Sequence, residues 1–294
     1  MTFSDYSTAW SQTYLPAMRP ASITTIRSHV RKLNSLLGGK ALSELTDSVV
    51  QEVVNDLNQT LCPKTVVNTM GLLHNILRRA YREGLIRVIP EPSLPEVRDQ
   101  SQPWYTVGEV RQLVNVAPEP LSQLLYLLTE TGLRIGEALA IEDNHVDKKA
   151  ATLTVEQSVF NGNLQITKTK TSDRILSISG HLLGHLSALM AGGSGLLFQT
   201  SRGTPYRPAH LAEKLIYTAK VAGLPWHGFH AFRRTNATIM AQLGVPEQIA
   251  DARQGHSNAV GLTYRLYAQR AGLQDREWAE RIAYTINKLE GTHA

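Results

Sequence analysis

Pro90-Glu91-Pro92-Ser93-Leu94-Pro95-Glu96-Val97-Arg98-Asp99-Gln100-Ser101-Gln102-Pro103 divides the chain. Its four prolines fix φ and remove backbone donors, and the polar residues between them supply no apolar period, so neither a helix nor a central strand can run through it. The stretch reads as an extended linker over 89–104, leaving one domain over 1–88 and a second over 105–294. With 294 residues, 42% hydrophobic and 19% charged, the chain can bury two cores, which excludes disorder and a collagen-like fold.

On the N-terminal side the pattern is helical. Ser22 as N-cap precedes Ile23, Ile26, Val30, Leu33 and Leu37 at helical spacing, and Gly38-Gly39 stops the run. A second run carries Val49, Val50, Val53, Val54 and Leu57. A third follows Pro63 with Val66, Val67, Met70, Leu73, Ile76, Leu77 and Ala80, and ends at Gly84. Up to Pro90 there are ten Lys and Arg against six Asp and Glu, so this part holds +4 of the net +5 charge. Basic helix faces of this kind suit a polyanion. Arg27, Arg31, Lys64, Arg78 and Arg79 are the expected phosphate partners and Asn68 a base reader.

Beyond the linker, Thr106-Val107-Gly108-Glu109 has capping-box spacing, and Leu121–Thr129 is an apolar helix closed at Gly132. Residues 152–159 and 164–167 flank Asn161-Gly162, a strong hairpin signal, and 174–179 supplies a further strand, together a small three-stranded antiparallel sheet. Helices are expected again near 181–190, 208–222, 230–243, 246–254, 259–267 and 274–288. The fold class is mainly α with a small antiparallel β-sheet.

A single cysteine, Cys62, excludes internal disulfides and Cys-rich zinc clusters. His227 and His230 have zinc-compatible spacing, but no H-E-x-x-H or Walker-type loop accompanies them, so neither metal nor nucleotide cofactor is expected. No membrane span or signal peptide is apparent, and a cytoplasmic protein is expected.

Polar residues capable of phosphate chemistry recur in a fixed order. Thr131-Gly132-Leu133-Arg134-Ile135-Gly136-Glu137-Ala138-Leu139-Ala140 puts an arginine just past a Gly-ended helix. Lys168-Thr169-Lys170-Thr171-Ser172-Asp173-Arg174-Ile175 leads into a strand. His230-Ala231-Phe232-Arg233-Arg234-Thr235 places an imidazole and a guanidinium one helical turn apart. Gly255-His256-Ser257 then precedes Tyr264 and Tyr267. In these motifs the chain resembles the tyrosine recombinases, the phage-type integrases and Xer-like enzymes, over nearly its whole length.

The resemblance implies a helical, SAM-like core-binding domain and an α+β catalytic domain forming a C-shaped clamp on DNA. It also implies a phosphate site of Arg134, Lys170, His230, Arg233 and His256, with Tyr267 as nucleophile. Lys168 and Tyr264 are the alternatives at two of these positions. Displacing a phosphodiester oxygen with a phenol of pKa near 10 needs local cations, and two arginines offer permanent charge and forked donors to the nonbridging oxygens. Lys170 can protonate the departing 5′ oxygen, His230 can take the tyrosine proton, and His256 can add a hydrogen bond. Glu137, three residues after Arg134, can hold its guanidinium. Gln254 stands where the family has leucine before Gly-His, a polar residue expected to loosen the packing around His256.

The implied activity is site-specific DNA recombination through a 3′-phosphotyrosine, on a double-stranded recombination site, by a tetramer on synapsed DNA and with a possible accessory DNA-bending or directionality protein. A type IB topoisomerase-like strand transferase and a catalytically silent architectural protein are the alternatives. With the first helix beginning so near Met1, an arm-binding domain is not expected. The stripe of Leu273, Trp278, Ile282, Ile286 and Leu289 must be buried, either on its own domain or, as the resemblance implies, in a neighbouring protomer.

Overall fold

In the computed structural model the described residues are 1–98, 102–166, 173–190, 195–255 and 262–288, with the backbone alone at 166 and 262–274. The chain divides into two compact units, 1–100 and 101–294. The first holds α1 (Phe3–Tyr14), α2 (Pro20–Leu37), α3 (Asp47–Thr60) and α4 (Pro63–Arg82). Their apolar stripes form one core around Phe3, Trp10, Leu33, Leu37, Val50, Val54, Leu73 and Ile76. Helix α2 starts three residues earlier than its sequence pattern suggests. Arg19 is its N-cap and Pro20 its first residue, so the preset φ of proline, rather than the Ser22 hydroxyl, opens it. The linker starts as an ordered strap: Asp47 Oδ1 accepts from Glu91 N at 2.9 Å, and Gln51 Oε1 accepts from Ser93 N at 2.8 Å.

The second unit contains α5 (Val107–Val116), α6 (Leu121–Thr131), α7 (Ile135–Ala138) and β1 (Val146–Asp147). There follow β2 (Thr152–Val155), β3 (Gln157–Phe160), β4 (Asn163–Ile166) and β5 (Arg174–Ser177). It ends with α8 (Gly180–Leu189), α9 (Pro208–Val221), α10 (His230–Gln242), α11 (Glu247–Gln254) and α12 (Leu262–Asn287). Helix α6 is buried on every side, and α5, α8, α9, α10 and α12 pack around it. Its end is a left-handed cap at Gly132, φ 67°, where an added Cβ would strike Asn236 Oδ1, so glycine is required. Tyr105 seals the start of this core, exchanging hydrogen bonds with Thr235 and donating to Pro225 O at 3.0 Å.

The sheet, the terminal helix and the terminal stripe each differ from the sequence expectation. The strand expected over 152–159 is broken at Glu156, which leaves the ladder and lies 3.2 Å from His145 Nε2. The single meander becomes a β1-β2-β5 sheet and a separate β3-β4 hairpin. The two terminal helices expected at 259–267 and 274–288 are one, because a single glycine, Gly272, costs a helix only about 1 kcal/mol and does not break it. Trp278, Ile282 and Ile286 of the terminal stripe pack into the core of their own unit, and Arg111 donates to the Ile286 carbonyl at 2.6 Å. Ile282 and Ile286 are thus buried in their own unit, and Trp278 is partly so. Leu273 and Leu289 fall outside the described side chains. No described helix is long and apolar enough to cross a membrane.

Candidate active site

Arg233 sits on the first turn of α10, 3% exposed, and its guanidinium reaches two other segments. Nη1 donates to Gly132 O at 2.7 Å and Nη2 to Gln254 O at 2.6 Å. Both acceptors are carbonyls at helix ends, where intrahelical partners run out and negative dipole accumulates. One side chain thus gathers the loop leading into Arg134, the start of α10 and the turn leading into His256. Burial lowers the Arg233 pKa to about 10, with the charge of Arg134 adding to the effect, and the group stays cationic at neutral pH.

Arg134 caps α7. Its Nη1 donates to Glu137 Oε1 at 2.9 Å and its backbone N to Oε2 at 3.0 Å. Its side chain is 45% exposed while Glu137 is 5% exposed, so the carboxylate anchors a guanidinium that still faces outward. Glu137 also takes Arg174 Nη2 on Oε2 at 2.9 Å. Burial alone would raise the Glu137 carboxyl; Arg174 and then Arg134 outweigh it and hold the carboxyl below the ordinary range. The expected support for Arg134 is present, and Arg174 joins it. In the sequence Arg174 stands as the start of a strand and closes the motif that carries Lys168 and Lys170, with no local signal for its contact with Glu137.

The packing around His256, which Gln254 is expected to loosen, lies outside the described residues, while Gln254 itself is firmly bonded. It is 4% exposed, and its Nε2 donates to Arg233 O at 3.3 Å and to Asn236 Oδ1 at 3.2 Å, while Asn236 Nδ2 donates to Thr129 O and Glu130 O. A polar residue is needed there because it faces a buried amide and a carbonyl rather than an apolar wall. Gly255 follows at φ 64°, where a Cβ would come within 2.8 Å of Arg174 Nη1.

His230 opens α10 and is exposed, one turn before Arg233. Lys168, Lys170 and His256 lie outside the described residues. Tyr264 and Tyr267 fall within the helical span of α12, and their side chains lie outside the described set. The structure thus brings together Arg134, Glu137 and Arg233, with His230 one turn from Arg233. Among the described residues no three His, Cys, Asp or Glu side chains converge as metal ligands.

In the first unit, Lys64, Asn68, Asn75, Arg78 and Arg82 are all exposed and recur at intervals of three and four about Gly71, one stripe along α4 opposite the core. Asn75 and Arg82 were not singled out in the sequence. Arg27 and Arg31 form an exposed i,i+4 pair on α2, which is joined to α4 by His29 Nδ1 and Thr69 Oγ1 at 2.7 Å. Arg79 is engaged otherwise: Nε donates to Glu83 at 3.0 Å and the guanidinium lies 5.1 Å from the Tyr14 ring centroid.

Residues 104–272 match the model of the phage integrase family. A tyrosine recombinase XerC-like protein of Caldanaerobacter subterraneus subsp. tengcongensis is 26% identical over 290 residues, covering 85% of this chain and 74% of its own. The integrase of Staphylococcus phage L54a is 19% identical, covering 82% and 80%. Among solved structures, the Tn1549 transposon integrase in complex with transposon right end DNA gives a TM-score of 0.76 at 18% identity, over 93% of this chain and 99% of that one. A lambda integrase dimer bound to a COC' core site gives 0.72 at 16% identity, over 87% and 96%. At those identities the likeness to the solved structures is one of fold.

Proposed function

The chain belongs to the phage integrase family, and on that premise we propose that Arg134, Lys170, His230, Arg233 and His256 surround a scissile DNA phosphate which Tyr267 attacks. It is a tyrosine recombinase, an enzyme that breaks and rejoins DNA, and its partner is DNA. The observation that carries the residue assignment is the Arg233 guanidinium bonded to both Gly132 O and Gln254 O, which draws three separate motifs to one place.

The phenol oxygen of Tyr267 attacks phosphorus and the bond to the 5′ oxygen breaks, leaving a 3′-phosphotyrosine and a 5′ hydroxyl. Arg134 and Arg233 stabilise the charge that grows on the nonbridging oxygens; removing one such preorganised donor typically costs about 10² to 10³ in rate. Lys170 supplies the proton to the leaving oxygen, and His230 removes the one from tyrosine. The phosphotyrosine keeps the bond energy for religation, so the cycle uses neither nucleotide nor metal.

Residues 1–88 supply the DNA-binding unit, with Lys64, Asn68 and Arg78 on the α4 stripe and Arg27 and Arg31 on α2 as its contacts; residues 105–294 supply the chemistry. The lambda integrase tetramer bound to a Holliday junction supports a tetramer as the working assembly of this chain on two synapsed sites. Any accessory DNA-bending or directionality protein belongs to the same proposal.

The test is covalent capture on a nicked duplex. Tyr267→Phe should bind the duplex as wild type does and form no adduct, while Tyr264→Phe should still form it. The opposite result would make Tyr264 the nucleophile.

A further inference from the structure

Arg253 is fully buried, 1% exposed, three residues before His256, in a chain where a surface helix would ordinarily place a charge outward. Its Nη1 donates to Asp275 Oδ1 on α12 at 2.5 Å and to Ser177 O on β5 at 3.3 Å, and Asp275 Oδ2 accepts from Ser177 N at 2.6 Å. One carboxylate and one guanidinium therefore hold α11, α12 and β5 at a single point. Each of these elements leads to a different part of the reaction. Strand β5 follows the segment with Lys168 and Lys170; α11 runs into His256; and α12 carries both candidate nucleophiles, Asp275 lying eight residues, about 12 Å of helix, beyond Tyr267.

The chain of contacts continues to the phosphate-facing groups. Arg253 O accepts from Arg174 Nε at 2.9 Å, Arg174 Nη2 donates to Glu137, and Glu137 holds Arg134. Among the described residues, Arg253 Nε and Nη2 are buried without hydrogen-bond partners, and Asp275 is the one ion-pair partner of this guanidinium. Shifting α12 away would leave the Arg253 charge in the interior without its counter-ion, a strongly unfavourable outcome that holds the helix to its seat.

We propose that Asp275, acting through Arg253 and Ser177, is a positioning residue that sets the nucleophile helix against α11 and β5. It touches no reacting atom. The proposal rests on the recombinase reading for its catalytic consequence, though the seating of the helix stands apart from it.

The experiment uses the full chain with two variants, Asp275→Asn and the double variant Arg253→Met with Asp275→Leu, which removes both charges while keeping an apolar fill. Single-turnover cleavage of a nicked duplex should fall about 10- to 100-fold in both, with half-saturating protein concentration within about twofold of wild type, and the double variant should retain the wild-type thermal midpoint within a few degrees. In DNA-free Asp275→Asn, amide exchange across 262–288 should rise about 10-fold or more. Unchanged exchange there, or wild-type cleavage by the double variant, would overturn the proposal. Absence of any adduct in the wild-type protein would refute the recombinase reading, and the exchange measurement would still decide whether the pair seats the helix.

Discussion

Gln254 shows how much one side chain can reverse. Leucine in its place would remove the donor to Asn236 Oδ1 and the Arg233 carbonyl, both in the interior. An unsatisfied buried acceptor costs about 1–3 kcal/mol. Gln254→Leu should therefore lower stability by that amount, measured by urea unfolding, and slow single-turnover cleavage because the Gln254 side chain fixes the backbone whose carbonyl holds Arg233. A more stable variant would restore the view that leucine packs better there. Arg233→Ala should reduce cleavage by about 10² to 10³. DNA affinity should change much less, because Arg233 is buried and a gel shift reads mainly the exposed phosphate contacts.

Two elements carry predictions of their own. Glu130 ends α6 entirely buried, accepting from Ser179 N and Oγ at 2.8 Å each at the start of α8. Burial pushes its carboxyl up to about 7 from an ordinary 4.5, against the donors of Ser179 and the charge of Arg253. A carboxyl raised in the native state binds its proton more tightly there than in the unfolded chain, so the contribution of Glu130 to stability is greatest below pH 4.5, falls as pH rises to about 7 and levels off beyond. The shift corresponds to about 3 kcal/mol. Glu130→Gln should abolish that slope, and thermal midpoints of variant and wild type between pH 4.5 and 8 would reveal it; parallel curves would show that Glu130 does not titrate in this range. Helix α4 offers the second case. Losing Lys64 and Arg78 together should flatten the plot of log affinity against log salt by about 1.8, at roughly 0.9 per phosphate contact. Arg79→Ala should leave the slope unchanged, since its guanidinium is already held by Glu83 and Tyr14. An equal change for Arg79 would return it to the DNA face.

At the scale of the molecule, the terminal stripe is spent on its own core through Trp278, Ile282 and Ile286. Truncation after Gly272 would thus unseat the catalytic unit itself, and a cut after Lys288 is the one that tests protomer exchange. Removing 289–294 should keep single-site binding and lower cooperative binding on two-site DNA; a gel-shift titration with unchanged cooperativity would assign protomer contacts elsewhere.

The sequence by itself determined the division at the prolines, the helical character of both units and the motifs of the site, because these depend on local terms: fixed φ, apolar period, capping geometry and spacing along one helix. The placement of Glu137 beside Arg134 and of His230 one turn before Arg233 was legible for that reason. Only the tertiary structure decided that β2 leaves its expected hairpin to pair with β5, that the terminal helix is continuous, and that Arg174, Arg253, Gln254 and Asp275 belong to the support of the site. The last of those outcomes turns on buried polar groups finding partners far along the chain, Arg174 with the Arg253 carbonyl 79 residues on and Ser177 with Asp275 98 residues on. No local pattern encodes such a partner, since the cost of burying a charge or an amide is settled only by what the fold brings against it.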